Sequence, residues 1–178
     1  MIENGRLYLA WIFMNLIGFL AGSILGATSN GLVPAMITGM IGLLLGDLIF
    51  GATIGLAQWL VLRRTSSLAV SAWWIIASSI GFTVGARSGA LLTHQLVNNW
   101  LQPSVVFGII MGGSVGLATM WPLSRIIAWS KLLGWLAISV VAWVLGEGIA
   151  FSADFAQTTV PLVALSISGI TGLGLLRL

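Results

Sequence analysis

Six stretches of the sequence, at about 7–28, 40–62, 71–91, 104–124, 131–150 and 159–176, are each about twenty residues long and almost free of charge. Crossing about 30 Å of hydrocarbon takes roughly 20 helical residues, and lipid offers backbone N–H and C=O groups no partner outside their own segment. Helices that span a membrane are the fold such stretches dictate. The chain is 58% hydrophobic and only 6% charged, with a mean hydropathy of +1.09, where soluble domains are typically about a quarter charged. Too little sequence lies between the stretches to form a soluble domain, so residues 1–178 read as one transmembrane domain.

The few charges predict an orientation. Arg6, Arg63, Arg64, Arg125, Lys131 and Arg177 fall at one set of helix ends, and by the positive-inside rule both termini are expected on the cytoplasmic side of a bacterial membrane. Asp47, Arg87, His94, Glu147 and Asp154 lie toward the opposite ends. The sequence pI of about 10.7 thus reports topology, and no nucleic-acid partner is expected. Without cysteine, disulfides, thiolate metal sites and cysteine nucleophiles are excluded.

A stripe of residues recurs three times: Trp11/Asn15/Gly18/Gly22, Trp74/Ser78/Gly81/Gly85 and Trp135/Ser139/Ala142/Gly146. Offsets of 0, 4, 7 and 11 share one helical face. The intervening helices carry small residues at Gly51/Gly55, Gly108/Gly112/Gly116 and Ala164/Ser168/Gly172, and 51–85 aligns without gaps on 112–146. The predicted fold is all-α: six transmembrane helices in three helical hairpins of the same orientation (about 7–62, 71–124 and 131–176) around a pseudo-threefold axis. The first apolar stretch belongs to this repeat and is therefore read as a spanning helix, not a removable signal peptide. Gly51, Gly55, Gly108, Gly112 and Gly116 permit close backbone approach, either between helices of the chain or with a partner or second copy. Trp59, Trp73, Trp74, Trp121, Trp129 and Trp135 lie near the basic turns and are expected to anchor at the headgroup level, as is Trp100 in an outer loop. Trp143, farther along its helix, is a candidate ligand contact.

Three ionisable residues break the repeat. Asp47 stands where its counterparts are Gly108 and Ala164, Arg87 opposite Gly148, and Glu147 opposite Ala86. Each lies about 24 Å from the inner end of its helix by rise, so the three are expected at one level near the outer edge of the hydrocarbon. A charge inside lipid usually faces a partner or a wet cavity, and a guanidinium can fork to carboxylates. Asp47, Arg87, Glu147, Gln58 and Trp143 are therefore the candidate ligand-binding residues. Asp47 and Gln58 share the small-residue face, whereas Arg87 and Glu147 are expected to project away from the Trp/Gly stripes of their helices. His94, the only histidine, is a weak candidate cofactor ligand in a polar outer segment; no specific cofactor is implied, and standard zinc sites and bis-histidine haem within one chain are excluded. No G-x-x-x-x-G-K-[ST], H-E-x-x-H or strand-borne G-x-S-x-G motif occurs, and no enzymatic role is expected.

Gln58-Trp59-Leu60-Val61-Leu62-Arg63-Arg64, followed by Ala72-Trp73-Trp74-Ile75-Ile76-Ala77 and Gly81, resembles a motif of small multi-pass proteins of photosynthetic and related bacteria; the resemblance implies no activity and transfers no site residue. In helix count, length and topology the chain is also similar to the substrate-binding subunits of energy-coupling-factor vitamin importers, but only in architecture. Their Ala-x-x-x-Ala contact is replaced by Gly18-x-x-x-Gly22. Two functions follow as expectations. One is binding or transport of a small polar solute through an outer-leaflet pocket. The other is a non-transporting interaction or assembly subunit, whose glycine and tryptophan stripes pack a larger membrane complex or hold pigment or lipid.

Overall fold

Long apolar segments joined by short connections fold back on one another, and the computed structural model shows this for the residues it describes, 2–26, 31–64, 70–96 and 102–178. Among them the chain is helical throughout, without strands: α1 (Ile2–Leu25), α2 (Leu32–Met36), α3 (Gly39–Leu62), α4 (Trp73–Leu96), α5 (Pro103–Leu123), α6 (Trp129–Ser152) and α7 (Val160–Leu175). Six segments, Asn4–Leu25, Gly39–Leu62, Trp73–Leu96, Pro103–Leu123, Trp129–Ser152 and Gln157–Leu175, are long and apolar enough to cross a membrane. The chain has the character of a multi-pass membrane protein.

Two features depart from the expected spans. The short α2 occupies the connection between the first two spans, and α4 runs a full turn beyond residue 91, so that His94 is helical. Trp100 lies outside the described residues.

The six long helices form a ring. Each packs against its neighbours along the chain, and α7 closes the ring on α1. Outward faces carry large apolar side chains such as Phe13, Met40, Leu91, Ile109, Leu117 and Leu162, each more than two-fifths exposed, a surface suited to lipid rather than water.

The inside of the ring is built on the tryptophan stripe. Trp11, Trp74 and Trp135 are buried together, with Trp135 at a ring-centre distance of 6.4 Å from Trp11 and 6.0 Å from Trp74. This corrects the expectation that Trp74 and Trp135 anchor at the headgroups; among the described residues Trp73, Trp121 and Trp129 are the exposed tryptophans. A buried indole N–H demands an acceptor, and all three have one on the helix alongside. Trp11 donates to the Thr171 hydroxyl (3.1 Å), Trp74 to the Gln58 side-chain carbonyl (3.0 Å) and Trp135 to the Thr119 hydroxyl (3.0 Å). Gln58 passes the chain on by donating to Asn15, which donates to the Trp11 carbonyl. Thr119 and Thr171 donate to Val115 and Ile167 carbonyls one turn back.

Gly51, Gly55, Gly108, Gly112 and Gly116 sit between helices of the same chain. A Cβ on Gly51 or Gly55 would meet α4 at Ser78 and its neighbours, and one on Gly108, Gly112 or Gly116 would meet α6.

Candidate functional site

Two turns above the tryptophan layer, toward the end of the bundle where α6 passes into α7, the axis is crossed by an aromatic collar. Phe19 of α1, Phe82 of α4 and Trp143 of α6 stand eight residues beyond Trp11, Trp74 and Trp135. Trp143 lies 6.0 Å from Phe19 and 5.9 Å from Phe82, ring centre to ring centre. Phe50 of α3 completes the collar, stacked on Phe82 at 4.4 Å and edge-on to Phe19 at 5.7 Å. The collar separates two cavities, and Phe19, Phe82 and Trp143 line both.

The inner cavity, about 30 Å³, is bounded by Gln58, Thr119 and Thr171 together with Ser78 and Ser139. The outer cavity is larger, about 160 Å³. Asp47, Glu147 and Ser23 face it, with Phe107, Met111 and Ala86 among its apolar walls and Phe155, Ala156 and Gln157 at its rim. Those three rim residues are exposed, so the cavity opens at the connection between α6 and α7.

The rim turns sharply: Asp154 and Phe155 take φ of 51° and 54°, left-handed values that cost a non-glycine residue roughly 1–2 kcal/mol. The turn sets Phe155 against Phe151 at 4.7 Å, and Phe151 in turn meets Phe107 at 5.9 Å.

Asp47 is positioned by a close approach of two backbones. At Gly26 and Gly46 the backbones of α1 and α3 come together, and a Cβ on either glycine would collide with the carbonyl oxygen of the other. The next residue, Asp47, is thereby held inside, its side chain 1% exposed, with Oδ2 2.6 Å from Nε of Arg87 on α4. Arg87 is the more accessible partner, at 26%, and is not among the cavity-lining residues. Asp47 Oδ1 has no hydrogen-bond partner among the described residues.

Glu147 differs. It is 6% exposed, lines the cavity, and no ion pair or hydrogen bond involves its carboxylate among the described residues. Glu147 leaves its helix about 100° around from Gly146, off the Trp/Gly stripe: Gly146 packs on Ile167 of α7, while Glu147 turns to the cavity. Ser23, Ala86 and Glu147 occupy the same place, twelve residues beyond their tryptophans, and all three face the outer cavity.

The structure thus brings Asp47, Glu147 and Trp143 to one cavity and ties Arg87 to it through Asp47. Gln58 lies a layer deeper, engaged by Asn15 and Trp74. His94 is exposed in the last turn of α4 and lines neither cavity. Among the described residues no cluster of three or more His, Asp or Glu could hold a metal ion. No family model, curated protein or solved structure matches the chain. The chemistry of the site rests on its own residues: a neutralised acid–base pair and a second, unpaired acid, both against aromatic walls.

Proposed function

We propose that the chain is a membrane protein of three helical hairpins in the same orientation, and that it binds a small polar solute in the outer cavity, as a transporter or its binding subunit. The observation that carries the binding reading is Glu147, a buried carboxylate without a partner among the described residues that faces a cavity of about 160 Å³ open at one end of the bundle. Uncompensated charge inside lipid costs a few kcal/mol on insertion scales and marks function more often than scaffold.

The repeat reading is supported by corresponding contacts. A Cβ on Gly18 would meet Ala57, Ile54 and Thr53, and one on Gly81 would meet Ala118, Val115 and Ser114, each set 61 residues beyond the last. The tryptophan acceptors Gln58, Thr119 and Thr171 revise the third register, setting Gly112 against Ala164 and Gly116 against Ser168 instead of Gly172. Asp47 then corresponds to Gly108 and Val160. The deeper layers follow the threefold pattern, and the outer cavity is where it breaks.

Orientation follows from charge. Arg63, Arg64, Arg125, Lys131 and Arg177 flank the helix ends on the side of the termini, where the Lys131 ammonium also reaches the Leu178 carbonyl; that side is cytoplasmic by the positive-inside rule. The assembly-subunit reading draws less support, because the striped glycines are used between helices of the chain itself.

Two experiments test the proposal. In detergent, the purified protein is melted against a panel of small polar metabolites. Saturable stabilisation by a solute, lost in Glu147→Gln, supports the site; no stabilisation across the panel refutes it. Since the chain has no cysteine, single-cysteine variants report topology directly. Gln157→Cys is expected to react with an impermeant maleimide from outside intact cells, and Ser124→Cys only after lysis.

A further inference from the structure

The charges and walls of the outer cavity narrow the class of solute, on the reading that this cavity binds one. Asp47 and Arg87 cancel at 2.6 Å, which leaves Glu147 as the acid facing the cavity without a counter-charge among the described residues. Asp154, the other acid near the rim, is exposed and therefore solvated. The complement the cavity lacks is one positive charge.

The walls say what kind of cation. Phe19, Phe50, Phe82, Phe107 and Trp143 surround the space, and aromatic faces attract cations through their quadrupoles, most strongly where water is excluded. Beyond the oxygens of Glu147 and the Oδ1 of Asp47, unpartnered among the described residues, hydrogen-bonding groups are few: the Ser23 hydroxyl already donates to the Leu20 carbonyl, and Gln157 and Thr159 stand at the rim. A sugar would bury more hydroxyls than these acceptors can serve, and the carboxylate of a free amino acid would face two acids. A hydrated metal ion would need a set of oxygen ligands, and none is grouped here among the described residues. A neutral apolar guest would leave Glu147 uncompensated. Size sets a limit too, because a cavity of roughly 150 Å³ accepts a guest about as large as benzene.

We infer that the outer cavity binds a small alkylated ammonium ion, with Glu147 as its counter-charge and the Phe19–Phe82–Trp143 collar as the floor on which its methyl groups rest. Such a cation holds its water only loosely, so the aromatic walls have little hydration to replace, and its charge lies over ring faces and beside the carboxylate together.

Choline and its uncharged isostere 3,3-dimethyl-1-butanol separate charge from shape. Binding to the purified full-length protein is measured by calorimetry and by melting temperature, with sodium chloride matching ionic strength. Choline is expected to bind saturably and at least about tenfold more tightly than the isostere; Glu147→Gln is expected to abolish that preference, and Trp143→Leu to weaken choline about tenfold. Equal or tighter binding of the isostere by the wild-type protein overturns the cation inference while leaving a solute site in place. Binding of neither, together with no response to the metabolite panel, overturns both readings. If Glu147→Gln does not give a monodisperse protein, the wild-type comparison with the isostere still decides, and Trp143→Phe, which keeps a ring face, is expected to retain more affinity than Trp143→Leu.

Discussion

Breaking the Asp47–Arg87 ion pair from its two sides is expected to have very different costs. The pair is close, 2.6 Å, but lopsided: the aspartate side chain is 1% exposed and the arginine 26%. In Arg87→Leu the carboxylate stays inside the bundle with no counter-charge, and removing one partner of a buried pair typically costs about 3–5 kcal/mol. Asp47→Asn leaves the guanidinium, which begins nine residues before Leu96, the end of α4, or about 13 Å by helix rise. A long, partly exposed side chain at that depth can turn its charge outward while its stem stays in the apolar layer. The loss is then the interaction of the pair alone, discounted for exposure, about 1 kcal/mol. Combining Asp47→Asn with Arg87→Leu removes both charges and is expected to recover about 2 kcal/mol or more of the single Arg87→Leu cost, since residues in direct contact are not additive. Equilibrium unfolding of the four proteins in mixed micelles, followed by tryptophan fluorescence, gives the cycle. Equal costs for the two single variants would refute the argument from exposure, and a double variant no more stable than Arg87→Leu would refute the stranded-carboxylate mechanism.

Four further variants probe the scaffold in the same unfolding assay. Thr119→Val removes the acceptor of the Trp135 indole at 3.0 Å and is expected to destabilise by about 1 kcal/mol, at the upper end of side-chain hydrogen bonds measured in membrane bundles; an unchanged midpoint would argue that the tryptophan layer is held by packing alone. A Cβ on Gly112 would lie 2.5 Å from Val140 Cα, whereas one on Gly113 meets nothing within 4 Å. Gly112→Ala is therefore expected to cost roughly 1–3 kcal/mol and Gly113→Ala to be neutral or slightly stabilising, the reverse order being fatal to the packing argument. Asp154→Gly relieves a left-handed φ of 51° and is expected to stabilise by about 1 kcal/mol; a loss would mean that the aspartate side chain, not the backbone, sets the rim turn.

What could be read from the sequence follows from which physical signals are local. The six spans were legible because hydrophobic length is a property of each segment alone. So were the charges that break the pattern, since Asp47, Arg87 and Glu147 stand out against their counterparts without any knowledge of packing. Register between helices is not local. Ala164/Ser168/Gly172 looks like Gly108/Gly112/Gly116 by residue size, yet under the proposed three-hairpin reading the hydroxyl of Thr171 bonded to Trp11 favours a different alignment. The signal that could have found it was chemical: Gln58 and Thr119 each precede a striped tryptophan by sixteen residues, and Thr171 is the polar residue of α7 able to serve Trp11 in the same way. The aromatic collar is missed by the sequence reading although Phe19, Phe82 and Trp143 share one offset from the stripe, because Trp143 stands out only as a tryptophan until the other two are set beside it.

That Glu147 needs a partner or a wet cavity is legible in the sequence, but that the side of α6 beside the Trp/Gly stripe meets such a cavity is not. Near the tryptophans the stripe of small residues is enough to meet the neighbouring helix. At the outer cavity Gly146 still packs on α7, but the bulky collar side chains keep the axis open beside it, and position 147 is exposed to a cavity instead of to lipid. The same opening brings Ser23 and Ala86 to the cavity wall, so three equivalent positions hold a hydroxyl, a methyl and a carboxylate. A scaffold role would be met by three small residues at these places, as Ser23 and Ala86 already show. The acid at the third is therefore the residue whose presence packing does not explain, and its removal is expected to change what the cavity binds more than how stably the helices assemble.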